Sequence, residues 1–378
     1  MAAPTTGELA VLQQFRDEVH DVLPNLNEYR QTDAWLLRWL RARELDIGKA
    51  SRMLRRSLEW RDQEKINDIL SWEPPNILME EFGMKLSGFD NDGSPVGIVP
   101  FGDWDIRKVI EMRRKDIFVK YIDFLFEIAL HLVERRSTKE KVLTQFVLIM
   151  DLDRFSFRQI ASRETIDAIF EAIKRFEANH PETLKAAYLI NAPRIFAYLF
   201  SFIKPLLTAR TLDKVQIFGS NGSFKPVLLK TIAPDQLPSE MGGCNTSCTN
   251  YTVKDLNELL DNPIQCDDFS EADMSAITVD SGKKVALNVQ VPTPKSRMSW
   301  NFKTEKHDIG FAVVSPCNEA LVHVSRADAN TCVQKGAIIC ESAGTYQIIF
   351  DNSFSRFRSK HVRYAVSVNK PLDLDLIK

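Results

Sequence analysis

Hydrophobic and polar positions repeat with three different periods along the chain. Over residues 8–70 the period is helical: Leu9, Leu12, Phe15 and Val19 fall on one stripe. Thr32 or Asp33 is placed to cap a second helix carrying Leu36, Leu37 and Leu40. A third runs from about Ile47 through Met53, Leu54 and Leu58 to Trp60. Pro74-Pro75 ends this pattern. Short apolar strands are then predicted at residues 96–100, 146–150, 187–191 and 214–218, alternating with helical segments at about 116–136, 163–178, 194–207 and 224–231. That alternation predicts βαβ units and a largely parallel sheet. Residues 146–150 are continuously apolar, as a strand covered on both faces requires. After Gly243 a polar stretch of weak period runs to about residue 271. From about Ala276 short alternating runs at 285–291, 299–302, 310–314, 345–350 and 362–368 predict an antiparallel sandwich.

One helix breaks the amphipathic rule. From Ile195 to Leu207 only Ser201, Lys204 and Pro205 are not apolar. At 1.5 Å per residue such a helix is roughly 20 Å long, short of the ~20 residues that span a bilayer. A helix apolar on every side is either buried in a core or faces something greasy, as a lid over an apolar cavity does. Pro193 suits its first turn and Lys204-Pro205 punctuates its end. Helical spacing puts Phe196, Leu199, Phe200 and Ile203 on one face, suited to roofing a cavity, and Tyr198 and Phe202 on another, suited to entering a membrane.

Composition fits a soluble multidomain protein. The 378 residues are 44% hydrophobic and 26% charged, with a net charge of −2, so no global field draws the chain to nucleic acid or anionic membrane. No secretory signal is expected at the N-terminus, and no apolar run reaches 18 residues. The six cysteines, among them Cys244 and Cys248, lie in the C-terminal 135 residues without the spacing of a zinc site. They read as free cytosolic thiols, with a disulfide as the alternative. Between Thr32 and Lys65 nine basic residues face six acidic ones, as a solvated face with local ion pairs or as a basic rim for lipid headgroups.

Signals for catalysis are weak. None of the six histidines sits in H-E-x-x-H, and no G-x-S-x-G nucleophile elbow occurs. Residues 219–223, Gly-Ser-Asn-Gly-Ser, occupy the place of a phosphate loop but lack G-K-[ST]. Asp151 and Asp153 are too few ligands for a metal. The expectation is a protein that is not an enzyme and needs no metal or cofactor.

Residues 180–243 carry a more specific pattern: P-E-T-L, a strand, N-A-P, the greasy helix, K-P-L-L, a second strand, and L-P-S-E-M-G-G. This order resembles the CRAL-TRIO lipid-transfer family. Residues 33–54, DAWLLRWLRARELDIGKASRML, resemble its N-terminal helical module, and residues 300–311 and 340–368 resemble a GOLD domain. The combination is similar to the supernatant-protein-factor, or tocopherol-associated, branch. The resemblance implies an N-terminal helical CRAL-TRIO-N module (1–75), an α/β lipid-binding domain with a largely parallel sheet and a helical gate (76–247), a linker (248–275) and an all-β GOLD sandwich (276–378).

It also implies roles for single residues. Glu182 matches the carboxylate that takes inositol hydroxyls of phosphatidylinositol; Thr211 and Lys214 match the pair that holds its phosphate; Arg43 matches a basic residue from the helical module. The chemistry fits, since a carboxylate accepts from hydroxyls while an ammonium and a hydroxyl serve a phosphate. A salt bridge tying two loops is the other reading of Glu182 and Lys214. Glu44 and Thr183 stand where phosphoinositide binders of the family carry cations, and Asn179-His180 precedes Pro181-Glu182 where a tyrosine is more usual. Ile195, Phe196, Tyr198, Leu199, Phe200, Phe202, Ile203, Leu206 and Leu207 are the implied gate and cavity residues. Trp300, Phe302 and Phe311 are expected in the sandwich core; Lys360, His361 and Arg363 are expected on a solvated edge. The expected function is a cytoplasmic carrier, transiently at membranes, of one hydrophobic ligand: phosphatidylinositol, tocopherol, squalene, a retinoid or another phospholipid. The alternative is a lipid-regulated adaptor that meets a protein partner in membrane traffic or signalling through the GOLD domain. No nucleic acid is expected as a partner.

Overall fold

A computed structural model describes residues 4–247 and 266–370. The chain divides into two compact units, Met1–Phe224 and Lys225–Lys378.

The first unit opens with helices α1 (Thr6–Glu18), α2 (Asp33–Arg41) and α3 (Ile47–Gln63). Each is capped by the polar residue before it. Thr5 and Glu8 form a reciprocal capping box, Thr32 accepts from the Trp35 amide at 3.3 Å, and Asp46 accepts from the Lys49 amide at 2.9 Å. The three helices bury Leu12, Phe15, Leu36, Leu37, Leu40 and Leu54 together. Of the two readings of the basic residues here, ion pairing is seen for two: Arg41 of α2 pairs with Glu8 of α1 at 2.7 Å, and Arg55 of α3 with Asp21, just past α1, at 2.7 Å.

The α/β part continues as α4 (Asn76–Glu81), β1 (Lys85–Phe89), β2 (Pro95–Val99), α5 (Ile106–Glu111), α6 (Lys115–Arg135), β3 (Phe146–Asp151), α7 (Arg163–Asn179), β4 (Leu184–Ile190), α8 (Phe196–Ile203), α9 (Ala209–Leu212) and β5 (Val215–Ile217). The sheet order is β1-β2-β3-β4-β5; β2 to β5 run parallel and β1 is an antiparallel edge. The pattern of polar and apolar residues misses β1, whose Lys85, Ser87 and Gly88 hide any alternation. Strand β4 starts three residues earlier than its apolar run, because Lys185 belongs to it; its ammonium is held by Asp90 and, at 2.6 Å, by Asp92.

Registers define the two faces of this sheet. Gly97, Leu148, Ala187 and Val215 form one cross-strand row, and Ile98, Ile149, Tyr188 and Gln216 the next, on the opposite face. A buried charge cluster lies beneath the N-terminal helices. Arg61 of α3 donates to both Glu127 oxygens of α6 at 2.8 Å, and the His180 ring sits 3.9 Å from Glu127. His180 packs edge-on to Trp60 and against Phe126 and Phe176.

The second unit begins with α10 (Lys225–Leu228) and holds β6 (Ser275–Val279), β7 (Lys284–Val291), β8 (Ser296–Thr304), β9 (Ile309–Val314), β10 (Ala320–Ala327), β11 (Gln334–Cys340), β12 (Gly344–Asp351) and β13 (Lys360–Asn369). They form two four-stranded antiparallel sheets, β10-β9-β12-β7 and β11-β8-β13-β6. Trp300, Phe302 and Phe311 lie in their common core as expected, with Phe302 stacked on Phe311 at 4.5 Å. The sequence pattern overlooks β6, β10 and β11. In β11, Gly336 interrupts the run because a Cβ there would stand 2.5 Å from the Trp300 ring. Lys360 is buried, not on a solvated edge: it pairs with Asp308 at 2.9 Å. Of the expected linker, residues 248–265 lie outside the described residues, while Asp267 and Asp268 pair with Arg297 and Lys335 of the sandwich. The segment from Lys225 to Ser247 also belongs to this unit, with Trp300 donating to Thr246 at 2.8 Å.

Two outcomes follow from the buried cluster. Arg61→Met leaves Glu127 buried without its partner and is expected to cost about 3–5 kcal/mol in chemical denaturation, much of it recovered in the double variant with Glu127→Leu. Burial also holds His180 down at about 4. The folded state therefore binds fewer protons than the unfolded one between that value and the ordinary histidine range. Stability falls as pH drops through this window, by up to about 3 kcal/mol. Asp123, raised to about 6 by burial, acts in the opposite sense, so the comparison is with His180→Phe, whose denaturation midpoints from pH 7 to 4 should fall less steeply.

Candidate functional site

The loop between α7 and β4 is pinned on several sides. Arg38 donates to the Pro181 carbonyl at 3.3 Å, Gln145 to the Glu182 carbonyl at 3.1 Å, and the Thr183 hydroxyl to the His180 carbonyl at 2.8 Å. These bonds hold Glu182 in the left-handed region at φ 59°, uncommon for a side-chain-bearing residue. Its carboxylate accepts from Lys214 at 2.8 Å. Lys214 is fixed in turn, its carbonyl accepting from the Ala187 amide at 2.9 Å and its amide donating to Thr211 at 3.1 Å. Thr208 caps α9 and its hydroxyl lies 3.0 Å from that of Thr211.

Arg43, Glu182, Thr211 and Lys214 line one pocket of about 100 Å³. The salt bridge that was the other reading of Glu182 and Lys214 is present, and the four residues line one pocket. Thr183 is not a lining residue; it is buried in the loop it braces. Glu44 is one, and it meets a residue the sequence reading passed over. Arg210 donates to both Glu44 oxygens at 3.0 and 3.3 Å and lies 3.8 Å from Glu182. This pairing holds the Glu44 carboxyl below its usual range and raises Arg210 above its own. Arg210 falls one residue before Thr211, on the single turn of α9, a signal that only the fold makes visible. Arg43 donates to the Ala42 carbonyl at 2.9 Å and has no carboxylate partner among the described residues. The pocket lining therefore holds two ion pairs together with the Arg43 guanidinium and a third carboxylate, Glu177, groups able to meet a phosphate and its hydroxylated neighbours.

Helix α8 is the apolar counterpart. It begins at Phe196, whose amide donates to the Pro193 carbonyl at 2.9 Å, and it tightens into a 3₁₀ turn at Lys204–Leu206, where Pro205 removes an amide. Burial is divided along it. Phe196 and Leu199 are 3% and 1% exposed, and Ile195, Phe200 and Ile203 pack half-buried on the same cluster. Tyr198 and Phe202, one turn apart, are 68% and 60% exposed. Leu206 and Leu207 are half-buried. Phe196 meets Phe155 edge-on at 5.6 Å, and Phe155 stacks on Phe101 at 6.0 Å. The same cluster contains Leu148, Met150, Ala187, Leu189 and Val215 from one sheet face. On β3, which has a strand on each side, Leu148 and Met150 of this face stay partly accessible while Val147 and Ile149 of the other are buried.

Other candidates do less. Asp151 accepts from the Asp153 amide and from Asn191, both at 2.9 Å, which caps a turn. Among the described residues no cluster of three or more His, Cys, Asp or Glu side chains is placed to hold a metal, and no helix is long and apolar enough to cross a membrane.

Residues 80–243 match the CRAL/TRIO domain model. The chain thus contains a CRAL-TRIO domain, a class whose members generally bind or transfer lipids. The chain is 28% identical over 327 residues to Protein real-time of Aedes aegypti, covering 81% of this chain and 50% of the relative. It is 28% identical over 291 residues to a CRAL-TRIO domain-containing protein of Caenorhabditis elegans, covering 74% of this chain and 40% of that one. It spans half or less of the length of these relatives. The crystal structure of Sfh5 superposes with a TM-score of 0.51 at 16% identity, over 60% of this chain and 85% of Sfh5, a likeness of fold.

Divided burial on α8 gives a stability contrast. Phe196→Ala is expected to cost about 3–5 kcal/mol. Phe202→Asp, on the exposed face, should stay within about 0.5 kcal/mol of wild type. Urea titrations of both variants check this.

Proposed function

We propose that this chain is a non-enzymatic carrier that takes one hydrophobic lipid from a membrane, shields it in its CRAL-TRIO domain and delivers it elsewhere. The observation that carries the reading is α8: an apolar helix that buries one face on a half-accessible sheet and leaves two aromatic side chains in water. A lipid chain lodged against Leu148, Met150 and the buried face of α8 gains roughly 25 cal/mol per Å² of apolar surface removed from water. Tyr198 and Phe202 give the gate a surface that prefers a membrane interior to water, so a bilayer favours the open state. Helix α8, with Ile195, Leu206 and Leu207 at its ends, is the gate.

Phosphatidylinositol is the headgroup the polar pocket favours. Glu182 accepts from inositol hydroxyls, and Lys214, Thr211 and Arg43 serve the phosphate. The Glu182–Lys214 ion pair fills this place in water and exchanges its partners for the headgroup. Glu44 competes with the phosphate for Arg210. Tocopherol, squalene, a retinoid or another phospholipid would use the apolar lodging without these contacts. The N-terminal helices correspond to a CRAL-TRIO-N module and the sandwich to a GOLD domain that directs the loaded carrier, in the cytoplasm, to a membrane or a protein partner.

Vesicle-to-vesicle transfer tests the reading. Lys214→Ala is expected to lower phosphatidylinositol transfer by about tenfold or more, the loss of one charged hydrogen bond, and to leave transfer of a neutral ligand near wild type. Glu44→Gln, which frees Arg210, should raise it. Equal losses for both ligand classes, with reduced thermal stability, would show that Lys214 is a structural brace.

A further inference from the structure

Cys244 and Cys332, far apart in sequence, meet inside the second unit. Residues 244–246 run as a strap beside β11: the Lys335 amide donates to the Cys244 carbonyl at 2.8 Å, and the Thr246 amide to the Lys335 carbonyl at 2.8 Å. The strap has little freedom, since a Cβ on Gly243 would stand 2.0 Å from the Leu237 carbonyl oxygen. Cys332 sits in the turn before β11. Its sulfur lies 3.7 Å from the Gly243 carbonyl oxygen, and the Gln334 amide group donates to it at 3.3 Å. The Cys332 sulfur thus lies against the residue that precedes Cys244 in the strap. Both are free; Cys244 is buried and Cys332 half-buried.

We infer that Cys244 and Cys332 are a site of reversible oxidation, at which a peroxide closes a disulfide that staples the 244–246 strap to the sandwich. The pair is chemically asymmetric, as the reaction requires. The neighbouring Cys244 thiol draws the Cys332 thiol down to about 6, while Cys332 and burial raise Cys244. Cys332 is therefore the more readily ionised of the two thiols and Cys244 the one that keeps its proton longer. Burial moves the other way at Cys340, pushed up to about 11, and at Cys266.

The steps balance. The Cys332 thiolate attacks one peroxide oxygen; the O–O bond breaks, leaving a sulfenic acid on Cys332 and hydroxide. The Cys244 thiol gives its proton to that hydroxide, forming water, and its sulfur attacks the sulfenic sulfur. The S–S bond forms, the S–O bond breaks and hydroxide leaves. The two sulfurs together lose two electrons and the peroxide gains them. A thiol reductant reverses the bond.

The experiment uses the full chain, reduced and then treated with equimolar hydrogen peroxide, with peptide mapping under non-reducing conditions. The expected product is one linked peptide pair joining Cys244 to Cys332, lost on adding dithiothreitol, with a melting transition roughly 5–10 °C higher in the oxidised protein. Cys332→Ser abolishes the linked pair. Cys244→Ser, which keeps Cys332 without its resolving thiol, lets dimedone trap a sulfenic acid at Cys332. Linkage of Cys332 to Cys248, or oxidation elsewhere while Cys244 and Cys332 stay reduced, would overturn the inference.

Discussion

A helix with no polar face cannot satisfy water on any side, and α8 is such a helix. It buries Phe196 and Leu199 and leaves Tyr198 and Phe202 exposed. The short strand β5 and the small residues Gly97 and Ala187 keep one face of the sheet shallow. The aromatic series Phe101, Phe155 and Phe196 fastens the start of the helix to the loops at the strand ends. Pro205 then forces the chain out of the helix before it extends further.

The polar end is governed by pairing. Glu182 is locked into an unfavourable backbone region by three hydrogen bonds around its loop, and its carboxylate is matched by Lys214. Glu44 and Arg210 neutralise each other beside it. Partly buried charges are stable only when paired, so an anionic ligand of the proposed kind would enter this pocket by exchange of partners. Arg43, which among the described residues is satisfied only by a carbonyl, is the cation with least to give up. In the proposed reading a headgroup would be selected by a few directed bonds, and its chains held by an undirected hydrophobic term.

The fold was legible in the sequence where period and burial agree. The three N-terminal helices carry apolar stripes and explicit caps, and β2 to β5 are apolar runs, so their places were readable. The α8 division into a buried and an exposed face was readable from spacing alone, because side chains three and four residues apart share a face. Elements that mix types were not. The edge strand β1 contains Gly88 and Lys85, β11 contains Gly336 under Trp300, and Lys185 interrupts the start of β4. In the site, Glu182, Lys214, Thr211 and Arg43 were legible through their resemblance to a known motif. Arg210 was not, because its role depends on Glu44, 166 positions away in the chain. The burial of Lys360 was equally hidden, since it rests on Asp308 from a different strand connection.

The central claim is that the CRAL-TRIO domain encloses one lipid molecule. Native mass spectrometry of the full chain, after incubation with cell-derived membranes and re-isolation, tests it most directly. The account predicts a species heavier than the bare chain by a single lipid mass, with that lipid recovered and identified on solvent extraction. A protein that remains empty after such exposure, while still folded, would contradict it.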